Sequence, residues 1–392
     1  MGRLLFNQQY TKMSERSLAH IEQIVSLEPI ENSDFLEKAV VLGWNCVVKK
    51  GEFKVGDKVI YIEVDSVLPE KPEFEFMAKY KYRVKTIKLR GQISQGMILP
   101  VSYLSKNDKL LDKILQIGTD VTFDLGIVKH MSKSERDELA EDGRKIALEK
   151  SRMKKFMYRF NWYRKLFLPR KQVVGFPYWV SKTDEKRIQN IPQVLDEFKD
   201  EVVYITEKVD YQSATFTGKL LPNTFPIIGK YLPKKFKFIV CSRNLMNNDK
   251  SSLYWQIAEK YNLEKILKEN PTLTIQGEQG NSKVQGNKYG ISEPKIWIFN
   301  IYDHEKNYHY SYMQILDFCM KYNLTTVPYI GFFKLKDVAT TVDEMIEYSK
   351  GKSIINPKIN REGVVVRCIK DGKKLLSFKA INPEFLLKYD SE

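Results

Sequence analysis

The stretch VVYITEKVDYQSATFTGK, residues 202–219, places a lysine after an apolar run and an aspartate two positions later. The apolar and β-branched residues before Lys208 predict a buried strand that ends near this lysine. In an extended chain, residues two apart project to the same side, so Lys208 and Asp210 are expected to face one site. Burial lowers the pKa of a lysine and so favours the neutral amine that acts as a nucleophile. This stretch therefore predicts a reactive lysine and a carboxylate in one pocket.

Other predicted strands in the same half of the chain contain polar residues that a core would not favour. These are Arg243, Glu278, Glu362 and Lys379. One alone could be a snorkelling lysine or a rim glutamate, but several on separate strands imply a shared charged pocket. Carboxylates beside a lysine raise its pKa unless they hold a divalent cation. We therefore interpret Asp210, Glu278 and Glu362 as oxygen ligands of Mg²⁺ or Mn²⁺.

Residues 17–127 contain several short strand-like segments separated by turn signals such as Gly51 and Gly56. This spacing, with little helical periodicity, predicts a small β-barrel, and residues 1–16 are expected to be an extension. Four basic residues crowd one strand and its exit: Arg83, Lys85, Lys88 and Arg90. Such a cluster is expected of a surface that faces RNA phosphates, although basic residues on an edge strand can also simply discourage aggregation.

A charged segment, residues 128–171, separates the two halves of the chain. Ser132 followed by Glu135 matches a capping box, so a helix is predicted to begin there. Its thin apolar stripe indicates an exposed linker, whose basic and aromatic end could bind single-stranded RNA or pack on a neighbouring domain. From 172 to 392, apolar strands alternate with helical stretches, which predicts an α+β domain with mainly antiparallel sheets.

Charge and cysteine content limit the class of protein. Among 392 residues, 64 are Lys or Arg and 49 are Asp or Glu, a net charge of +15. Counterion release makes nucleic acid the simplest partner for such a chain, although a solvated basic surface is an alternative. The four cysteines form no CxxC pair, which argues against a zinc cluster and indicates a reducing compartment. Without a signal-peptide core or an apolar run near the ~18 residues of a membrane helix, we expect a cytoplasmic or nuclear protein that is neither secreted nor membrane-bound.

Six short motifs occur in a fixed order along the second half of the chain. They are EKVD at Lys208, CSRN at Arg243, QGE at Glu278, IWIFNIYD around Phe299, REGVVVR at Glu362 and SFKAIN at Lys379. The series resembles motifs I, Ia, III, IIIa, IV and V of the covalent nucleotidyltransferases, the superfamily of ligases and mRNA-capping enzymes. FPYWVSKTDEKRIQN, QGNKYG and SFKAINPEFLLK are most similar to ATP-dependent RNA ligases of the Naegleria type. Those ligases place an OB domain first, and IKLRGQISQGMILP resembles the end of that domain.

The resemblance implies an OB-like barrel over 17–127, joined by a helical linker to a nucleotidyltransferase domain over 172–392. It also implies the activity of an RNA ligase (ATP) in three steps. Lys208 would attack the α-phosphorus of ATP, AMP would pass to an RNA 5′-phosphate, and a 3′-hydroxyl would displace AMP. The expected partner is RNA with 3′-OH and 5′-phosphate ends, in a nicked duplex, and the expected state is a monomer.

The same motifs imply roles for individual residues. Glu207 would help to read the adenine, and Phe299 would stack on its ring. Arg243 would contact the ribose or the 5′-phosphate end. Lys379 would bind the α-phosphate, where negative charge builds in the transition state. Asp210, Glu278 and the catalytic Glu362 would hold the metal, largely through water.

Two residues depart from the family pattern. Tyr211 follows Asp210 where glycine is expected, and Ser377 stands where motif V often has a second basic residue. Because tyrosine cannot cheaply adopt a positive φ, we predict an ordinary β-region backbone at Tyr211, with its ring at the rim of the pocket.

Other members of the superfamily share these motifs. DNA ligases and capping enzymes usually place their OB domain last, whereas only 13 residues follow Lys379 here, and no nicotinamide-reading domain supports NAD as donor. A nucleic-acid-binding protein with a ligase fold inactivated at Tyr211 is the alternative from another class.

Overall fold

The computed structural model describes residues 17–104, 116–131, 175–182, 184–221 and 233–389. The chain forms two units, one comprising Met1–Val41 and Asn45–Val173, the other Leu42–Trp44 and Val174–Glu392. The helix predicted from Ser132 lies outside the described residues, as does most of the predicted linker. Of that linker, Val128–Lys129 is a short strand paired with Ser66–Val67. Among the described residues, no helix has both the length and the apolar character needed to cross a membrane.

The described part of the first unit is built from short strands and two 3₁₀ helices, Pro72–Tyr80 and Val101–Tyr103. The strands are β1 (Ala19–Pro29), β2 (Leu36–Val41), β3 (Trp44–Lys49), β4 (Lys58–Ile62), β5 (Ser66–Val67), β6 (Thr86–Leu89), β7 (Gln92–Gln95), β8 (Met97–Pro100) and β9 (Val128–Lys129). Five of them form an antiparallel sheet in the order β3-β2-β1-β4-β8, and β6 and β7 form a separate hairpin. The turns predicted at Gly51 and Gly56 have φ of 77° and 92°, which only glycine adopts easily.

The second unit contains ten described strands. They are β10 (Lys186–Arg187), β11 (Val202–Glu207), β12 (Gln212–Leu221), β13 (Lys235–Cys241), β14 (Leu273–Gly280), β15 (Lys295–Asp303), β16 (Tyr308–His309), β17 (Tyr329–Lys334), β18 (Gly363–Lys370) and β19 (Lys373–Ile381). The described α-helices are α1 (Val194–Glu197), α2 (Leu253–Lys260), α3 (Leu263–Glu269), α4 (Tyr312–Lys321), α5 (Val342–Ser349) and α6 (Pro383–Tyr389). Short 3₁₀ turns cover Ile188–Asn190, Gln285–Asn287 and Leu335–Asp337.

Two five-stranded sheets organise this unit. Sheet I has the order β10-β19-β18-β11-β17, and sheet II the order β13-β12-β14-β15-β16. Their strands pair antiparallel except for β10, which runs parallel to β19. This confirms the predicted α+β class with mainly antiparallel sheets.

Each sheet packs one face into its own core and leaves the other face for polar residues. On β18, Val364 and Val366 are buried in the core of sheet I, so the alternation of a strand turns Val365 and Arg367 to the opposite face. On β14, Leu273 and Ile275 are buried in the core of sheet II, and Glu278 falls on the other face. Glu278 and Lys379 lie on these second faces, whereas Lys208, Arg243 and Glu362 lie just beyond the ends of their strands.

Candidate active site

Strand pairing brings Lys208 next to Glu362. Lys208 follows β11, which runs antiparallel to β18, and Glu207 lies opposite Val364. The backbone N–H of Lys208 donates to the carbonyl of Gly363 at 3.0 Å. Its Nζ donates to Glu362 Oε2 at 2.6 Å, with only 23% of the lysine side chain exposed. The structure therefore joins motifs I and IV, which lie 154 positions apart in sequence.

Buried carboxylates surround the Lys208 amine. Burial alone lowers the pKa of Lys208, but the charges of Glu362, Glu278 and Asp210 outweigh it and leave that pKa raised. Burial raises the pKa of Glu278 to about 8, against the opposing effect of Lys208, and also raises the pKa of Glu362. Without an added cation, this arrangement holds the amine in its protonated, non-nucleophilic form.

Asp210, Glu278 and Glu362 are the residues predicted to hold a metal. Within the described ranges, no three His, Cys, Asp or Glu side chains stand close enough together to bind an ion directly. Glu278 Oε2 is nevertheless buried and accepts no hydrogen bond from any described residue. An all-oxygen set with an unsatisfied buried carboxylate fits Mg²⁺ or Mn²⁺ held largely through water, as the sequence predicted. The residues present are therefore compatible with such an ion.

The segment between β14 and β15 contacts Asp210, the last residue of the EKVD motif, and Tyr211, which follows it. The Lys288 ammonium forms an ion pair with Asp210 Oδ2. The backbone N–H of Asp210 donates to the Tyr289 hydroxyl at 2.8 Å, and the Tyr211 hydroxyl donates to Asn287 Oδ1 at 3.2 Å. Asn287, Lys288 and Tyr289 therefore all contact the turn that follows β11. None of these three residues was assigned a role from the sequence, although they lie within QGNKYG, one of the stretches that resemble Naegleria-type ligases.

Tyr211 is buried inside an aromatic cluster, so its predicted place at the pocket rim is wrong. It does not have the positive φ that would strain a tyrosine, in agreement with the predicted ordinary backbone. Its ring stacks on Trp297, with centroids 5.7 Å apart and planes 12° apart. Gly280 leaves room for the Tyr211 ring, because a Cβ built there would come 2.5 Å from Tyr211 Cδ1. Tyr211 stands where the family pattern has glycine, and Gly280 provides the space that its ring needs.

Two predicted adenine contacts lie beside this cluster. Glu207 Oε2 accepts the backbone N–H of Ile354 at 2.7 Å, while Oε1 is buried with no hydrogen bond from a described residue. Burial raises the pKa of Glu207. Phe299 is half-buried against the aromatic cluster, and the Arg367 guanidinium lies 5.6 Å from its ring centroid. A buried acceptor and a half-buried aromatic ring are the groups that would bind a purine that donates an amino proton.

Lys379 and Arg243 meet on a residue that the motif analysis did not single out. Asp184 accepts from Lys379 Nζ at 2.9 Å and pairs with an Arg243 terminal nitrogen at 3.0 Å. Burial lowers the pKa of Lys379 to about 8, and Asp184 opposes that shift. The two predicted phosphate ligands therefore converge, although they come from different sheets.

Glu185, the next residue, binds a second cation of sheet I. Its Oε1 accepts from Arg367 at 3.1 Å, and both side chains are nearly buried. Arg367 lies opposite Ser377 on β19, so a guanidinium stands beside the position where motif V lacks its second basic residue.

The four predicted RNA-binding residues lie around the β6–β7 hairpin of the first unit. Lys88 and Arg90 are exposed and Lys85 is half-buried. Arg83 is buried, and its guanidinium pairs with Asp65 at 3.0 Å. The exposed basic surface of this hairpin is therefore made by Lys85, Lys88 and Arg90.

Comparison with protein families and solved structures agrees with this domain order. An OB-fold domain model matches residues 18–101, and an RNA ligase model matches residues 201–381. The search of curated proteins returned no match. A structure of Naegleria gruberi RNA ligase with PPi aligns with a TM-score of 0.74 and 27% identity, covering 96% of this chain and 100% of that one.

Two further solved structures are variants of the same Naegleria gruberi ligase. One, with ATP and Mn, has a TM-score of 0.74 and 26% identity and covers 96% of this chain and 100% of that chain. The other, with AMP and Mn, has a TM-score of 0.73 with the same identity and coverage. The order predicted from the motifs, an OB-fold domain before a ligase domain, is confirmed.

Proposed function

We propose that this chain is an RNA ligase with an OB-fold domain ahead of its ligase domain, and that it seals RNA ends with ATP through AMP carried on Lys208. One observation carries the proposal: the buried Lys208 amine lies 2.6 Å from Glu362 Oε2, in the same pocket as Glu278. Relatives solved with ATP and Mn, and with AMP and Mn, support ATP as the nucleotide and a divalent cation as the cofactor.

The first step forms a phosphoramidate. The neutral Lys208 Nζ attacks the α-phosphorus, the bond from that phosphorus to the bridging oxygen breaks, and pyrophosphate leaves. Glu362 Oε2 orients the amine and is the nearest atom to accept its proton. Mg²⁺ or Mn²⁺, held by Asp210, Glu278 and Glu362, would add positive charge that lowers the pKa of the amine and stabilises the phosphates.

Other side chains bind the parts of the nucleotide that do not react. Glu207 Oε1 accepts the adenine amino group, and Phe299 stacks on the ring. Lys379 and Arg243 bind phosphoryl oxygens, where negative charge develops in the transition state. Each of these residues lies in the second unit, so the nucleotide chemistry is assigned to that unit.

The later steps consume an RNA 5′-phosphate and an RNA 3′-hydroxyl. A 5′-phosphate oxygen attacks the Lys208-bound AMP and releases the lysine, and the 3′-hydroxyl then displaces AMP to form the phosphodiester. Lys85, Lys88 and Arg90 are proposed to contact RNA phosphates of a nicked duplex. All four cysteines are buried and free, which suits the proposed cytoplasmic or nuclear location.

A nicked RNA duplex with 3′-OH and 5′-phosphate ends tests the proposal directly. With ATP and Mn²⁺ or Mg²⁺ we expect a sealed strand, and with a 3′-deoxy end we expect adenylylated RNA to accumulate. A 5′-OH strand is the matched negative control. RNA binding without sealing or adenylylation would favour the alternative of an inactive ligase fold.

A further inference from the structure

One carboxylate connects the two sheets at the proposed phosphate site. Asp184 Oδ1 lies 2.9 Å from Lys379 Nζ, and Lys379 belongs to β19 of sheet I. Asp184 Oδ2 lies 3.0 Å from Arg243, which follows β13 of sheet II. Each oxygen of the carboxylate therefore has its own cation, and the two cations come from different sheets.

The side chains of Asp184 and Lys379 differ in their freedom to move. The side chain of Asp184 is 43% exposed, whereas that of Lys379 is 12% exposed. Rotation of Asp184 toward solvent would leave its carboxylate hydrated, but Lys379 has no comparable route to water. When another anion enters, Asp184 is therefore the partner that leaves.

The neighbouring residue is anchored. Glu185 and Arg367 form an ion pair at 3.1 Å, with side chains 12% and 6% exposed. Breaking a buried ion pair is strongly unfavourable, so the chain stays docked at Glu185 while the Asp184 side chain moves. The exchange needs a side-chain rotation and no displacement of the segment.

We infer that Asp184 is an internal anion that holds the place of a phosphoryl group between Lys379 and Arg243, and that it sets the affinity of this site for phosphates. A carboxylate with one cation on each oxygen presents the same pair of acceptors as two phosphoryl oxygens. Substrate phosphate must therefore break two charge-assisted contacts before it binds. This inference rests on the proposed function, because it takes both cations as phosphate ligands.

Pyrophosphate binding measured by calorimetry, without divalent metal, tests the inference. The wild type is compared with Asp184→Asn, which keeps the side-chain shape and removes the competing charge. Asp196→Asn is the control, since it removes the carboxylate of an exposed ion pair with Lys199 in the same unit. At about pH 6.5, below the pKa of about 8 that burial gives Lys379, the ammonium stays charged.

We expect Asp184→Asn to bind pyrophosphate about tenfold more tightly than the wild type, and the control to match the wild type. In a Lys379→Ala background, the gain from Asp184→Asn should largely disappear, because the two residues act on one contact. Equal or weaker binding by Asp184→Asn would overturn the inference and leave the proposed function standing. If neither the wild type nor Asp184→Asn binds pyrophosphate, the inference is also overturned, while the sealing assay with metal decides the proposed function separately.

Discussion

Lys208 lies among carboxylates that disfavour the neutral amine needed for its proposed attack on ATP. Their charges raise its pKa, so at rest the site is an ion cluster in which the Lys208 ammonium donates to Glu362. A divalent cation removes this conflict, because it offsets the carboxylates and favours the neutral amine. This conflict between the acids and the amine is itself a physical reason to expect a metal.

Glu278 provides a test of that reasoning in the metal-free protein. Its pKa in the folded state is about 8, above the ordinary value of 4.5, so the folded state binds the proton more tightly than the unfolded state. The stability that Glu278 contributes is therefore present at low pH and is lost as pH rises from 4.5 through 8. In EDTA, thermal unfolding of the wild type should lose stability over this range more steeply than that of Glu278→Gln. If the stability of the wild type and of Glu278→Gln changes equally with pH, the Glu278 carboxylate is not an unsatisfied buried acid.

Loss of any of the three proposed metal ligands should slow the reaction much more than loss of an exposed acid elsewhere in the unit. Alanine at Asp210, Glu278 or Glu362 is expected to slow adenylylation by at least ~10²-fold, because each removes charge that positions the metal. Single-turnover rates at saturating Mn²⁺ check this, with Asp196→Ala as the control for loss of an exposed acid. Three variants within a few-fold of the wild type would mean that the metal site lies elsewhere.

The turn after β11 and the end of β14 fit each other as a matched pair. Tyr211 fills the space that a side chain at 280 would occupy, and its hydroxyl reaches Asn287 on the next segment. Lys288 extends this support to α6, because its ammonium lies 5.1 Å from the ring centroid of Phe385. The departure from the family pattern at Tyr211 is therefore accommodated by packing and gives no support to an inactive site.

A double-mutant cycle measures this fit. Tyr211→Gly should cost about 3–5 kcal/mol of unfolding free energy, because it leaves a cavity against Trp297. Gly280→Ala should cost about 1–3 kcal/mol, because the new Cβ meets the tyrosine ring. Combined, they should cost at least about 1 kcal/mol less than their sum. Urea unfolding gives these values, with Gly175→Ala as the control because a Cβ there meets nothing within 4 Å. Simple additivity would contradict the matched packing.

Some residues of this site could be predicted from the sequence, and others could not. Lys208, Asp210, Glu278 and Glu362 could be found because polar residues at strand ends contrast with their apolar surroundings. Asp184 could not, since it lies 195 positions from Lys379 and nothing in its local pattern indicates that partner. The burial of Tyr211 was missed for the same reason, because it depends on packing against residues of β14 and β15. Long-range partners of this kind appear only when the sheets are assembled.

At the scale of the whole chain, we assign the nucleotide chemistry to the second unit and RNA binding to the first. The nucleotide residues all lie in the second unit, whereas the exposed basic hairpin with Lys85, Lys88 and Arg90 lies in the first. Changing these three residues to alanine should weaken binding of nicked RNA and lower its dependence on salt, because fewer counterions are released. Adenylylation of Lys208 should be unchanged. Affinity measured across a salt series checks this, with Lys49, Lys50 and Lys54 of the same unit changed to alanine as the control. An equal effect of both triple variants would argue for a diffuse basic surface.

The proposed reaction requires a covalent AMP intermediate on Lys208. Incubation with α-labelled ATP and Mn²⁺, followed by a denaturing gel and peptide mapping, tests it most directly. We predict that the wild type carries labelled AMP on Lys208, that added pyrophosphate removes the label, and that Lys208→Ala and Lys208→Arg carry none. Full labelling of Lys208→Ala, or stable AMP on another residue of the wild type, would contradict the account.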